Sequence, residues 1–273
     1  MRVAVVGHTE WIEFLHIPRV PLAGDITQAS RAWEEPGGGG GVAAQQLAHL
    51  VGECEFFTAL GDDEIGRRTR QVLEQRDVRV HPAWRPPPHR RAVTFTDDSG
   101  ERTITLFTQK LTPRGDDPLP WEELDGVDAV YFTGREARAL REARRAKVLV
   151  ATARELPTIR EAGVQVDAIV SSANDPSERY EPIEPAPHLV VATRGTAGGD
   201  WRTAAEQGTY DAVASPGPVV DTYGAGDCFA AGLTFALGRG DDVAKALMLA
   251  ARCGAFATTG AGVHPASLDA VDR

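Results

Sequence analysis

Val219-Val-Asp-Thr-Tyr-Gly-Ala-Gly-Asp-Cys-Phe-Ala-Ala-Gly-Leu-Thr-Phe-Ala-Leu237 joins an apolar run to a glycine turn and then to a helix that opens on an acid. Gly224, Ala225 and Gly226 put almost no side chain in front of the first helical amides. Several N–H groups and the positive end of the helix dipole can therefore converge on one anion. Asp227 does not suit a resting phosphate, which its carboxylate would repel. It suits a neutral hydroxyl about to become an alkoxide. Phe229, Leu233, Ala236 and Leu237 fall at helical spacing, and Gly238 is expected to close the helix as its C′ residue. The plain alternative for the triplet and aspartate is an ordinary capped helix start.

The 273 residues can form one large domain, or one domain with a small appendage. A formal net charge of -10 weighs against a nucleic-acid or anionic-membrane partner. Cys54, Cys228 and Cys253 are odd in number and lack CxxC or His/Cys ligand spacing, which fits a reduced, cytoplasmic setting. Met1 to Gly7 reads as a buried strand too short for a signal-peptide core, and no window is long enough to span a bilayer.

Apolar, β-branched runs recur at residues 3–6, 56–60, 129–132, 148–151, 168–171 and 189–193, separated by helical patterns such as 42–51 and 64–75. This alternation predicts an α/β fold: a mostly parallel, doubly wound sheet with helices on both faces. Ligands of such sheets sit outside the carboxyl ends of the strands, where the turn at Gly224 to Asp227 would lie. Two segments break the alternation, residues 11–35 and 91–107, the second with a hairpin turn at Asp97-Asp-Ser-Gly100. They predict a small β lid (9–35 and 91–107) over a core of residues 1–8, 36–90 and 108–273, able to exclude water or to form an edge or dimerisation sheet. Proline-rich connections at Pro82 to Pro88 and Pro113 to Pro120 flank the second segment. A further helix from Asp242 to about Thr258 presents small residues, for tight helix packing or for the approach of an adenine ring.

Together these features resemble the ribokinase-like, or PfkB, family of carbohydrate kinases over nearly the full length. Asp221-Thr-Tyr-Gly-Ala-Gly-Asp227 is similar to that family's C-terminal signature, Asp-Thr-x-Gly-Ala-Gly-Asp. The resemblance implies that Asp227 is the catalytic base and that the amides of Gly224, Ala225 and Gly226 hold the transferring phosphoryl group. Gly38, Gly39, Gly40 and Gly41 before Val42-Ala-Ala resemble the family's Gly-Gly-x-Gly-Ala-Asn, where sugar hydroxyls approach the backbone; from composition alone the run could equally be a flexible loop. Leu60-Gly-Asp-Asp63 with Gly66 resembles its Gly-Asp-Asp-x-x-Gly element.

Thr193-Arg-Gly-Thr-Ala-Gly198 is similar to the family's nucleotide loop, implying ATP contacts from Thr193, Gly195, Thr196 and Gly198, with Asn174 and Gly262 beside them. No Gly-Lys-Ser/Thr is present, so this is not a Walker A loop. Asn174-Asp-Pro-Ser-Glu178 stands where the family has Asn-x-x-Glu, which organises water around Mg2+. The glutamate lies one residue late, leaving Glu178 and Asp175 as candidates and an Asn-Asp-Pro helix start with solvated charges as the plain reading. Asp221 and Tyr223 are the candidates for a monovalent cation such as K+. Arg154, after the run ending at Ala151, stands at a family arginine that can face phosphate or substrate; a surface residue is its plain reading.

The acceptor half departs from the pattern. Glu10-Trp-Ile12 replaces Asn-x-Asp, and Ala43 replaces the asparagine of Gly-Gly-x-Gly-Ala-Asn. Loss of two hydroxyl partners changes the accepted ligand. Glu10, Trp11, Arg102 and Arg154 are the acceptor candidates beside the glycines, with Trp11 either stacking on the substrate or packing the lid on the core. The expected activity is ATP-dependent phosphorylation of a hydroxyl on a small sugar-like substrate. The rival is a non-catalytic sugar or nucleotide sensor with the same fold. A dinucleotide-dependent oxidoreductase is disfavoured, because no acidic ribose partner follows a Gly-x-Gly-x-x-Gly turn.

Overall fold

A computed structural model describes residues 1–97 and 102–272. In chain order the elements are β1 (Val3–Gly7), β2 (Glu10–His16), β3 (Arg31–Gly37), α1 (Gly38–Val51), β4 (Cys54–Gly61), α2 (Glu64–Glu74), β5 (Val78–Arg85), β6 (Arg91–Thr96), β7 (Arg102–Leu106), β8 (Ala129–Thr133), α3 (Ala137–Ala143), β9 (Val148–Thr152), α4 (Leu156–Ala162), β10 (Ala168–Ser172), β11 (Leu189–Thr193), β12 (Gly199–Arg202), β13 (Gln207–Tyr210), α5 (Ala225–Arg239), α6 (Val243–Ala257) and α7 (Leu268–Val271).

The principal sheet runs β13-β12-β11-β10-β9-β8-β1-β4-β5. It is parallel from β11 to β5, and the β12–β13 hairpin adds antiparallel strands at one edge. Strand pleating sends alternate residues to opposite layers. Val3 and Val5 join a core with Leu47 of α1, Phe229 and Leu233 of α5 and Leu247 of α6, while Ala4 and Val6 join Leu140 of α3 and Ile159 of α4. A second sheet, β3-β2-β6-β7, carries the two segments that broke the alternation. Ile12 and Phe14 anchor it in the first core, whereas β7 is exposed throughout. The turn expected at Asp97-Asp-Ser-Gly100 lies, beyond Asp97, outside the described residues, though β6 and β7 do pair antiparallel.

Four local expectations are corrected. Gly238 lies inside α5, with Gly240 (φ 88°) as the C-cap; a Cβ at Gly238 would stand 2.5 Å from the Ala129 Cβ, so this glycine serves close approach to β8. Pro82 is part of β5 rather than of a connection, which an edge strand tolerates. The glycine run is no loop, since α1 begins at Gly38. Between β10 and β11, where alternation calls for a helix, the chain makes only a single 3-10 turn at Pro176–Glu178. The small face of α6 packs on α5: a Cβ on Gly232 would lie 3.0 Å from the Ala250 Cα and 2.9 Å from the Cys253 Sγ.

Candidate active site

The signature turn is shaped by Asp221, which is 2% exposed. Its Oδ1 accepts the Tyr223 amide at 2.8 Å and its Oδ2 the Gly262 amide at 3.0 Å, so Asp221 and Gly262 fix the backbone here. Gly224 takes the left-handed conformation (φ 72°) and N-caps α5. Among the described residues the amides of Gly226 and Asp227 have no intrachain acceptor, and a Cβ on Gly226 would meet nothing within 4 Å. The turn thus presents unsatisfied donors to open space at a positive helix end.

Asp227 faces the glycines of α1. A Cβ on Gly39 would stand 3.1 Å from Asp227 Oδ1, 3.4 Å from Thr133 Oγ1 and 3.5 Å from His8 Cε1. The absent side chain leaves space beside the Asp227 carboxylate. Gly38 (φ 75°) donates its amide to the Tyr223 hydroxyl at 2.8 Å, tying the glycine helix to the signature turn. A Cβ on Gly38 would collide with the Glu10 Cγ, one on Gly40 with the His8 carbonyl, and one on Gly41 with Thr9 Oγ1. Each glycine therefore has its own steric reason. Burial pushes the Asp227 carboxyl up to about 6, helped by Glu178 and opposed by Arg102 and Arg154. Such a value leaves it ionised at neutral pH but basic enough to take a proton.

The candidate acceptor wall holds residues that sequence reasoning missed. His8, after β1, places Nδ1 3.2 Å from the Thr133 carbonyl and Nε2 3.5 Å from Glu10. Arg90 Nε lies 3.4 Å from the same Glu10 oxygen, and its Nη1 donates to the Thr108 carbonyl at 3.3 Å. Glu10, the sequence candidate, is 7% exposed and held below the usual carboxylate range by His8 and Arg90, against the opposing effect of its burial. Trp11 points elsewhere. It is 1% exposed and lies under the Arg68 guanidinium (4.5 Å), so it packs β2 on α2 as its plain reading held. Pleating explains the difference: Glu10 and Trp11 must face opposite sides of β2. No spacing rule could have found His8, Arg90 or Thr133, because strand ends far apart in sequence bring them together.

On the other side, Gly195 (φ 58°) and Gly198 (φ 74°) turn the loop after β11, and Asn174 Nδ2 approaches the Cβ position of Gly195 at 3.9 Å. Thr193 Oγ1 donates to the Ser171 carbonyl at 3.2 Å, and Thr196 is exposed. Arg154 pairs with Asp175 at 2.6 Å and with Glu178, joining the metal candidates rather than the acceptor wall. Arg102, on exposed β7, donates to the Thr222 carbonyl (2.9 Å) and hydroxyl (2.7 Å), so it latches the small sheet onto the signature turn. Among the described residues no three acidic, histidine or cysteine side chains cluster as a metal cage. A groove of about 900 Å³ at the β10–β13 edge includes Asn174 and Asp175, but its walls are not those of the Asp227 cleft. The Asp227 carboxylate and the free amides at the start of α5 meet at the cleft instead.

The profile of the pfkB family carbohydrate kinases matches residues 1–181 and 136–270. The chain belongs to that family. It is a carbohydrate kinase, a phosphotransferase with an alcohol group as acceptor, and kinases of this family use ATP and a divalent metal. The chain is 31% identical over 280 residues to a fructokinase of Salmonella typhimurium, covering 85% of this chain and 88% of that one. It is 28% identical over 289 residues to an ATP-dependent ribose-1-phosphate kinase of Halopiger xanaduensis, covering 99% and 97%. In fold it is similar to a microbiome-derived acarbose kinase (TM-score 0.84, 21% identity, 100% and 98% covered) and to a ribokinase of Thermotoga maritima (0.78, 18%, 100% and 98%). No helix among the described residues is long and apolar enough to cross a membrane.

Proposed function

We propose that Asp227 takes the proton from an acceptor hydroxyl as its oxygen attacks the γ-phosphate of ATP, with the amides of Gly224, Ala225 and Gly226 stabilising the charge on the transferring group. One observation carries this reading: the Asp227 carboxylate stands beside the empty Cβ position of Gly39 while its own helix opens with unsatisfied amides at Gly226 and Asp227, the Ala225 amide making only a long bond (3.5 Å) to the Thr222 carbonyl. Base and anion site are thereby within one substrate's reach of each other.

The acceptor hydroxyl lies along Gly38 to Gly41, with Glu10 and His8 as hydrogen-bond partners on the β2 side. The nucleotide lies toward Thr193, Gly195, Thr196, Gly198 and Asn174. Glu178 and Asp175 would hold a magnesium ion through water, as suits an ion that keeps most of its hydration shell, and the ion would supply charge neutralisation at the phosphates. Both carboxylates pair with Arg154 here, so Arg154 keeps them oriented and itself faces the phosphates. The Asp221 carboxylate and the Tyr223 carbonyl are the proposed seat of a monovalent cation. The small sheet acts as the lid, latched by Arg102. Exposed Ile104 and Leu106 on β7 suit a homodimer through that sheet, and the three buried free thiols suit a cytoplasmic protein.

The acceptor is a small sugar or sugar derivative. The fructokinase and ribose-1-phosphate kinase names of the relatives support a ketose or a pentose phosphate alike, and fold analogy does not choose. Replacing Asp227 with Asn tests the mechanism. ATP binding should persist while turnover drops by about 10³-fold or more; full activity in that variant would refute the assignment.

A further inference from the structure

A buried carboxylate outside the cleft closes a circuit of hydrogen bonds around it. Glu35, on β3, is 7% exposed and both of its oxygens are engaged. Oε1 accepts the Trp33 indole N–H at 3.0 Å and the Val263 amide at 3.1 Å, while Oε2 accepts Arg76 Nη1 at 2.9 Å. The neighbouring Gly262 amide donates to Asp221 Oδ2, and Asp221 Oδ1 accepts the Tyr223 amide. The Tyr223 hydroxyl then accepts the amide of Gly38, which follows Glu35-Pro-Gly in the chain. The path from Glu35 through Val263, Gly262, Asp221, Tyr223 and Gly38 therefore returns to where it began.

The fit is close on every side. Gly262 has a left-handed backbone (φ 70°), and a Cβ there would collide with Glu35 Oε1 and stand 2.9 Å from Trp33 Nε1, so the carboxylate fills the space that any other residue at 262 would need. Phe14 runs beside the circuit, stacked on Trp33 (4.9 Å) and edge-on to Tyr223 (5.0 Å). A buried charge is costly, and an apolar residue would fill the same volume without that cost. What Glu35 adds is a fixed reach from the small sheet to the loop that holds Asp221. One limb of the circuit opens α1, where Gly39 borders the space beside Asp227; the other continues through Gly224 into the helix start that carries Asp227. Only 3.1 Å separates the Gly39 Cβ position from Asp227 Oδ1 where the limbs meet.

We infer that Glu35 is a positioning residue for phosphoryl transfer: by bonding the Val263 amide it sets the signature turn, and Asp227 with it, at working distance from the glycines of α1. The inference rests on the proposed role of Asp227 and deepens it. It makes length, rather than charge, the property of Glu35 that the reaction needs.

Two substitutions separate length from charge. Glu35→Gln keeps the reach and an oxygen for the Val263 amide but loses the charge opposite Arg76; Glu35→Asp keeps the charge and withdraws both oxygens by one carbon. Each is assayed with ATP and with fructose, ribose and ribose 1-phosphate as acceptors, beside a urea unfolding curve. Glu35→Gln should stay within about threefold of wild-type kcat, and Glu35→Asp should lose about 10- to 100-fold, the cost of a misplacement of about 1 Å. The loss should fall on kcat with the acceptor KM within about threefold, because Glu10 and His8 are untouched. Gln46→Leu is the control: it cuts the bonds of 2.8 and 2.9 Å that hold Ala266 at the far end of the same loop, and should lower the unfolding midpoint with kcat within about threefold. Arg76→Met, which removes the charge partner alone, should also keep kcat within about threefold and keeps the test readable if Glu35→Asp folds poorly. Equal kcat in the two Glu35 variants, a larger loss in Glu35→Gln or in Arg76→Met, or a loss confined to KM would overturn the inference. So would a kcat loss in Gln46→Leu as large as in Glu35→Asp, since stability of the loop would then be the cause. If Asp227→Asn loses turnover in the same assay, any of these results leaves the kinase reading standing; full activity in Asp227→Asn, or no turnover of any acceptor by the wild type, would remove that reading and the inference together.

Discussion

Gly39→Ala separates the chemistry of the cleft from the stability of the fold. Gly39 lies in the first turn of α1 with no left-handed backbone, so alanine is conformationally welcome there, and helix propensity favours it by up to about 1 kcal/mol. The new methyl would stand 3.1 Å from Asp227 Oδ1 and 3.4 Å from Thr133 Oγ1, contacts slightly tight but relieved by small side-chain shifts. Net stability should therefore stay within about 1 kcal/mol of wild type. The acceptor oxygen has no such freedom. It needs a place about 2.6–3.2 Å from a carboxylate oxygen, and the methyl occupies that shell, which displaces the hydroxyl by about 1 Å and costs about 10²-fold in kcat/KM. Denaturant unfolding, ATP titration and steady-state kinase assays on one preparation measure all three quantities. Wild-type unfolding midpoint and ATP affinity with a hundredfold kinetic loss are expected. A Gly39→Ala enzyme within threefold of wild type would refute the placement of the acceptor beside Asp227.

The remaining expectations concern acid, charge and joints. As the proposed base Asp227 must be ionised, and burial raises its pKa, so kcat/KM should be full at neutral pH and fall as pH drops through about 6; Glu178→Gln removes a repelling charge and should move that limb to lower pH in a pH–rate profile. His89 is fully buried and neutral, its Nδ1 accepting the Gly61 amide at 3.2 Å, and burial lowers it to about 4. The unfolded chain therefore binds the extra proton between about pH 6.5 and 4. Stability should fall across that window by up to about 3 kcal/mol from this group, and less steeply in His89→Gln by denaturant titration. Tyr223→Phe strands the buried Gly38 amide and should lower stability by about 1–3 kcal/mol while loosening the acceptor site. Arg102→Ala breaks an exposed latch to Thr222, so the unfolding midpoint should hold while KM rises several-fold.

Local sequence carries whatever is decided by neighbours in the chain. The strand–helix alternation, the two strand-rich interruptions and the Gly224 to Asp227 turn were legible because pleat, helix period and glycine stereochemistry act over a few residues. Asp63 illustrates the limit. The Gly-Asp-Asp-x-x-Gly element was visible, yet its work is a joint: Asp63 accepts the Gly66 amide at 2.8 Å and the distant His89 amide at 2.7 Å. Gly238 misled for the same reason, since its glycine character answers to β8 and not to the helix end.

What the sequence alone determined is the reaction type, because the candidate base and the candidate anion site occupy consecutive residues of one helix start. What only the tertiary structure decided is the acceptor wall. His8, Arg90 and Thr133 come from three separate strand ends and loops, and their proximity has no signature in spacing. Trp11 and Glu10 adjoin in the chain but face opposite ways across one strand, so the packing of the small sheet alone determined which of them lies beside His8 and Arg90.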